Sequence, residues 1–65
     1  MIKYNKLFAL LAYRGMKKTD LLEVLSSPNI LARLSKNEPV NIKTIDTLCD
    51  FLDVQPSDIL EFIRE

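Results

Sequence analysis

The sequence predicts a small all-α domain of five helices, and three observations carry that expectation. Apolar residues recur at three- and four-residue spacings along most of the chain. One glycine and three prolines leave few breaks, so the connections must be short. At 65 residues, with 48% hydrophobic and 28% charged side chains, the composition is globular but barely sufficient for one core. Residues 1–65 are therefore read as a single domain, with no room for a separate catalytic one.

The first helix is predicted over residues 5–14. Leu7, Leu10 and Leu11 form its apolar stripe with Phe8 beside them, Gly15 supplies a left-handed stop, and Met16 turns the chain back into the core. A short second helix over residues 18–25 carries Leu21, Val24 and Leu25 inward, with Thr19, Asp20 and Glu23 near its positive end. It stops at Ser26-Ser27-Pro28. Ser27 suits an N-cap and Pro28 a first helical position, so a third helix is expected over residues 28–35. After a loop over residues 36–40, Asn41 caps a fourth helix whose core stripe is Ile42, Ile45, Leu48, Cys49 and Leu52, with Val54 plugging its end. Gln55-Pro56-Ser57-Asp58 opens a last short helix whose apolar residues are Ile59, Leu60, Phe62 and Ile63.

Several function classes fall away. The lone Cys49 is read as a core side chain, since a thiol nucleophile needs a base and the chain has no histidine. Without histidine, a cysteine pair or a glycine-rich phosphate loop, the usual metal, nucleophile and nucleotide constellations are missing, so neither an enzyme nor a cofactor or metal is expected. The longest apolar run, Phe8-Ala9-Leu10-Leu11-Ala12, is too short to cross a membrane, and a cytoplasmic protein is expected.

The ordered set of helices and loops resembles the Cro/repressor-type (XRE) helix-turn-helix family, in particular its short stand-alone members. The likeness is carried by Tyr4-Asn5-Lys6-Leu7, Met16-Lys17-Lys18 with Asp20-Leu21, Leu31-Ala32-Arg33-Leu34-Ser35-Lys36-Asn37-Glu38, and Leu48-Cys49 followed by Leu52 and Asp58-Ile59. The chain departs from the family pattern in three places. Ser26-Ser27-Pro28 replaces a glycine and a hydrophobic residue in the turn, Lys17 stands where a serine or threonine usually caps the second helix, and Asn37 stands where a glycine is common. The resemblance implies a five-helix, lambda-repressor-like DNA-binding domain with its helix-turn-helix at about residues 17–35.

Formal net charge is zero, yet the halves differ sharply. Residues 1–36 hold seven basic and two acidic side chains; residues 37–65 hold two basic and seven acidic. The basic half contains the helix-turn-helix, where a phosphate backbone would lie. In the family the third helix enters the major groove while the second crosses the backbone. Carried onto this chain, the resemblance makes Ser27, Asn29, Ile30 and Arg33 the candidate base readers, with Asn29 suited to adenine, Arg33 to guanine or a phosphate, and Ile30 to a thymine methyl. For Ser27, capping is the favoured alternative. Leu31 and Leu34 are expected to face inward, and Lys17, Lys18, Lys36, Asn37 and Asn41 to meet phosphates.

The acidic half should point away from DNA. Ile59, Leu60, Phe62 and Ile63 exceed what one narrow stripe requires, and Ile2 and Tyr4 add to the surplus, so residues 55–65 are the candidate dimerisation segment of a homodimer on palindromic half-sites. The expected function is that of a sequence-specific regulator, most simply a repressor, with double-stranded DNA as partner. The alternative is a protein-interaction module of this fold, antitoxin-like or an anti-regulator, without DNA binding.

Overall fold

The computed structural model describes residues 1–64. Three α-helices, α1 (Asn5–Tyr13), α2 (Pro28–Ser35) and α3 (Ile42–Leu52), alternate with two 3-10 helices, Lys18–Glu23 and Pro56–Asp58. Five helical elements are thus present among the described residues, but the second is a six-residue 3-10 helix and the last a single 3-10 turn. A short antiparallel ribbon closes the ends of the chain: β1 (Ile2–Lys3) pairs with β2 (Glu61–Phe62), with Ile2 opposite Phe62 and Lys3 opposite Glu61.

Left-handed residues stop all three α-helices. At the end of α1, Gly15 takes φ 70° and donates to Ala12 O, while the Met16 N–H reaches Leu11 O at 2.8 Å. At the end of α2, Asn37 takes the same role at φ 57°, with its N–H on Leu34 O and the Glu38 N–H on Arg33 O at 2.9 Å. Asp53, at φ 56°, ends α3 and lets the Val54 N–H return to Cys49 O. The helix starts are also as expected for α2 and α3, where Ser27 Oγ accepts from the Asn29 N–H and Asn41 Oδ1 from the Lys43 N–H.

The core is one cluster. Leu7 and Leu11 from α1, Leu21 and Leu25 around the first 3-10 helix, Leu34 from α2, and Ile45, Leu48 and Leu52 from α3 are buried together with Tyr4 and Ile59. Cys49 is half-buried against it, as a packing residue. Arg14 fastens α1 to α3, its Nη1 donating to Leu52 O at 2.7 Å, where a cation also meets the negative end of the helix dipole.

Three expectations are corrected. Ile42 does not join the α3 stripe: it is 78% exposed, because the first position of α3 projects beyond the layer that Ile45, Leu48 and Leu52 bury. Tyr4 is not surplus surface but core. The last helix ends after one turn, since Ile59 turns inward to fill the core, after which Glu61-Phe62 runs as a strand beside Ile2 and Lys3. Ile59, wholly buried within the protomer, therefore leaves the set of dimer-contact residues; Leu60 is half-buried, and Phe62 and Ile63 stay exposed. Glu65, the last residue of that segment, lies outside the described residues.

Candidate nucleic-acid interface

The first 3-10 helix and α2, joined by the turn through Val24 to Ser27, form two helical segments at the length a helix-turn-helix requires. Leu21 from the first and Leu34 from the second are wholly buried and anchor the pair to the core. With Leu34 inward and Leu31 half-buried, helical periodicity turns Asn29, Ala32, Arg33 and Lys36 outward along one line, and all four are exposed. Such a line, with an amide, a methyl and two cations, has the donors and the clearance to enter a groove lined by base edges and phosphates.

The nine residues expected at the interface divide by what their side chains already do. Asn29, Arg33 and Lys36 lie on the exposed line of α2. Ile30 is half-buried, packed against the core with one side and lining a pocket with the other. Ser27 is the N-cap of α2, its Oγ holding the Asn29 N–H at 3.1 Å, which is the capping role weighed against base contact for it. Asn41 is likewise a cap, at 2.8 Å from the Lys43 N–H. Asn37 is half-buried, and its Oδ1 accepts the Tyr4 N–H at 2.9 Å, so its acceptor is spent on holding the loop to the N-terminus.

Lys17 and Lys18 open the first 3-10 helix and are exposed. Lys17 has no oxygen to cap that helix; Asp20 does so instead, its Oδ2 accepting the Lys17 N–H at 2.8 Å. Lys18 Nζ stands 4.5 Å from the centroid of the Phe8 ring, a cation–π contact that settles it against α1.

Folding also redistributes the charge read along the chain. Lys6 reaches Ser57 O at 3.2 Å and Arg14 reaches Leu52 O, so both basic residues of the first helix turn toward the C-terminal elements rather than toward α2. Lys43 moves the other way. It lies in the first turn of α3 and, with Ser26, Ile30, Asn41, Thr44 and Thr47, lines a pocket of about 390 Å³ between the turn and α3. Lys43, Thr44 and Ala32 were not singled out from sequence. The i, i+3, i+4 spacing of Asn29, Ala32 and Arg33 was the available signal for Ala32; Lys43 was hidden by being counted with the acidic half.

Cys49 offers no nucleophile. Burial first, and then the charges of Asp46 and Asp58, push its thiol above its usual range and keep it protonated. Among the described residues no helix is long and apolar enough to cross a membrane.

Fold and exposed line together define a helix-turn-helix domain of the DNA-binding class. Residues 6–65 match the family model of the Cro/C1-type HTH DNA-binding domain, and the chain belongs to that family. The structure is similar to the crystal structure of the transcriptional regulator VanUg, with a TM-score of 0.92 and 40% sequence identity over 98% of this chain and 87% of that one. A search of curated proteins finds no match. The family is a DNA-binding, non-enzymatic class, in agreement with the expectation drawn from the sequence.

Proposed function

We propose that the chain is a cytoplasmic transcriptional repressor that binds a palindromic operator as a homodimer, with α2 of each copy in the major groove. The observation that carries this reading is the exposed line Asn29, Ala32, Arg33 and Lys36, held rigidly over wholly buried Leu34 and Leu21. Asn29 and Arg33 read bases from that line, and Lys36 meets the backbone. Lys17, Lys18 and Lys43 take phosphates on either side. Similarity to VanUg supports the regulatory role. Selection from a random duplex pool, followed by titration of the winning duplex at two salt concentrations, tests the proposal. A palindromic consensus with half-sites about 34–36 Å apart and steeply salt-dependent binding is expected.

The zero net charge, together with Asp20 set beside Lys17, favours one other reading, a protein-interaction module of the same fold. It predicts no salt-sensitive duplex binding and no enriched sequence in the same selection.

A further inference from the structure

Phe8 follows wholly buried Leu7 on α1, at the edge of the apolar stripe, where it is half-buried and packed against the core. Its ring is held by that packing, and above the ring stands the Lys18 ammonium, 4.5 Å from the centroid. The backbone that carries Lys18 is pinned as well. Lys18 is the first residue of the 3-10 helix that opens the helix-turn-helix, and Asp20 Oδ2 accepts the N–H of the preceding Lys17 at 2.8 Å. The basic residues nearest to Phe8 in the chain, Lys6 and Arg14, are aimed elsewhere, at Ser57 O and Leu52 O. The ring of α1 thus serves a cation of the DNA-binding element.

We infer that Phe8 is a positioning residue for DNA binding: it holds the Lys18 ammonium in place before a phosphate arrives and keeps it there while the phosphate is bound. The inference rests on the assignment of Lys18 to the phosphate backbone made above. An ammonium has three donors, and Lys18 is exposed, so the N–H groups that point away from the ring stay open to an oxyanion. A lysine free in water loses rotamer freedom when it docks on a phosphate, and that loss is subtracted from affinity. Over Phe8, part of the loss has already been taken on folding. The opposite effect, in which the ring withholds Lys18 from DNA, is disfavoured by magnitude, because an exposed cation–π contact is weaker than a charge-assisted hydrogen bond to phosphate.

Duplex titrations of the full chain at several salt concentrations test the inference, with Phe8→Leu, Lys18→Gln and the double variant. Leucine keeps an apolar side chain against the core and removes the π face. Phe8→Leu is expected to weaken binding about two- to fivefold on selected and scrambled duplexes alike, with the slope of log K against log salt unchanged, since the ammonium still displaces its counterion. Lys18→Gln should lower the magnitude of that slope by about one, and adding Phe8→Leu to it should have no further effect. A Phe8→Leu chain that binds as tightly as the wild type or more tightly, or that loses as much in the Lys18→Gln background, overturns the inference. Proton NMR of the wild type gives a readout that depends on no variant's folding. The ring current of Phe8 should shift the Lys18 ε-methylene protons upfield in the free protein and equally in the duplex complex; disappearance of that shift on adding duplex also overturns it. Wild-type chain that binds no duplex sinks the DNA reading and this role with it, whereas duplex binding without coupling between Phe8 and Lys18 sinks the positioning role alone.

Discussion

The Tyr4 amide donates to Asn37 Oδ1 at 2.9 Å across 33 residues of sequence, and the Tyr4 hydroxyl donates to Glu38 O at 3.1 Å. One buried tyrosine thereby ties the start of α1 to the loop that leaves α2, while Asn37 itself supplies the left-handed stop of that helix. Asn37→Ala removes the acceptor and puts a Cβ-bearing residue without a local polar partner at positive φ. A loss of about 1–3 kcal/mol in urea denaturation is expected. Asn37→Gly should cost less, since only the hydrogen bond is lost. Equal costs for the two would mean that the backbone conformation contributes nothing.

Base reading and phosphate contact are separable by which sequences suffer. Arg33→Ala and Asn29→Ala are each expected to weaken binding to the selected duplex by about 1–3 kcal/mol while changing binding to scrambled duplex far less. A uniform loss on every duplex would reassign that side chain to the backbone. Ser27→Ala should instead show up mainly as reduced stability, about 1 kcal/mol in denaturation, because its hydroxyl is engaged in capping α2.

Local chemistry explains which parts of this structure were legible in the sequence. Caps and stops are dictated by neighbours in the chain, so Ser27-Pro28, Asn41 and Gly15 announced the limits of α1, α2 and α3. Leu21 was legible as an anchor from periodicity, and Leu34 from the family resemblance. The last element was not. Ile59, Leu60, Phe62 and Ile63 fit a helix or a strand over so short a run, and the choice was made by Ile2 and Lys3 at the other end of the chain, a long-range pairing that spacing cannot encode. Ile42 was misplaced for a related reason: it has the right phase for the buried line of α3 but stands one turn beyond the layer that covers it. Asn37 and Asn41 were expected at phosphates because their residue type fits both a backbone turn and an anion; the fold adds that their Oδ1 atoms serve the turn and the cap, which leaves the Nδ2 amide of each as the group that would donate to a phosphate.

Lys17, Lys36 and Lys43 are assigned to the phosphate backbone, so their loss should act through counterions. Each Lys→Gln substitution is expected to lower the magnitude of the slope of log K against log salt by about one, with similar effect on all duplexes. Lys6→Gln serves as the contrast, since Lys6 is turned toward Ser57 O and should leave the slope unchanged. A slope that responds to Lys6 but not to Lys43 would return the charge map to its sequence order.

Burial raises the pKa of the Tyr4 hydroxyl above its ordinary value, against a smaller opposing effect of the Val40 backbone. The neutral phenol is therefore the form the fold prefers. Below the unfolded value of about 10 both states are protonated and the contribution is fully present; as pH climbs from there through the folded value, the unfolded chain sheds its proton first and stability falls. Alkaline denaturation should accordingly steepen above about pH 10 in the wild type and flatten in Tyr4→Phe, which cannot ionise but also gives up the bond to Glu38 O and so starts from lower stability. Parallel stability curves for the two proteins above that pH would show that Tyr4 does not govern the alkaline limb.

Ile59 and Phe62 are three residues apart in a segment that reads as one apolar run, and the fold gives them opposite fates. Ile59→Ala opens a cavity in a core that has little to spare, at about 2–5 kcal/mol, against the 3–5 kcal/mol that a domain of this size ordinarily musters. It should leave the chain largely unfolded at 25 °C, with loss of helical dichroism. Phe62→Ala removes a side chain that is mostly in water in the protomer, and should leave the dichroism and the monomer's unfolding midpoint nearly unchanged. If the two substitutions destabilised the isolated protomer alike, the ribbon at the chain ends would be part of the core rather than a surface laid over it.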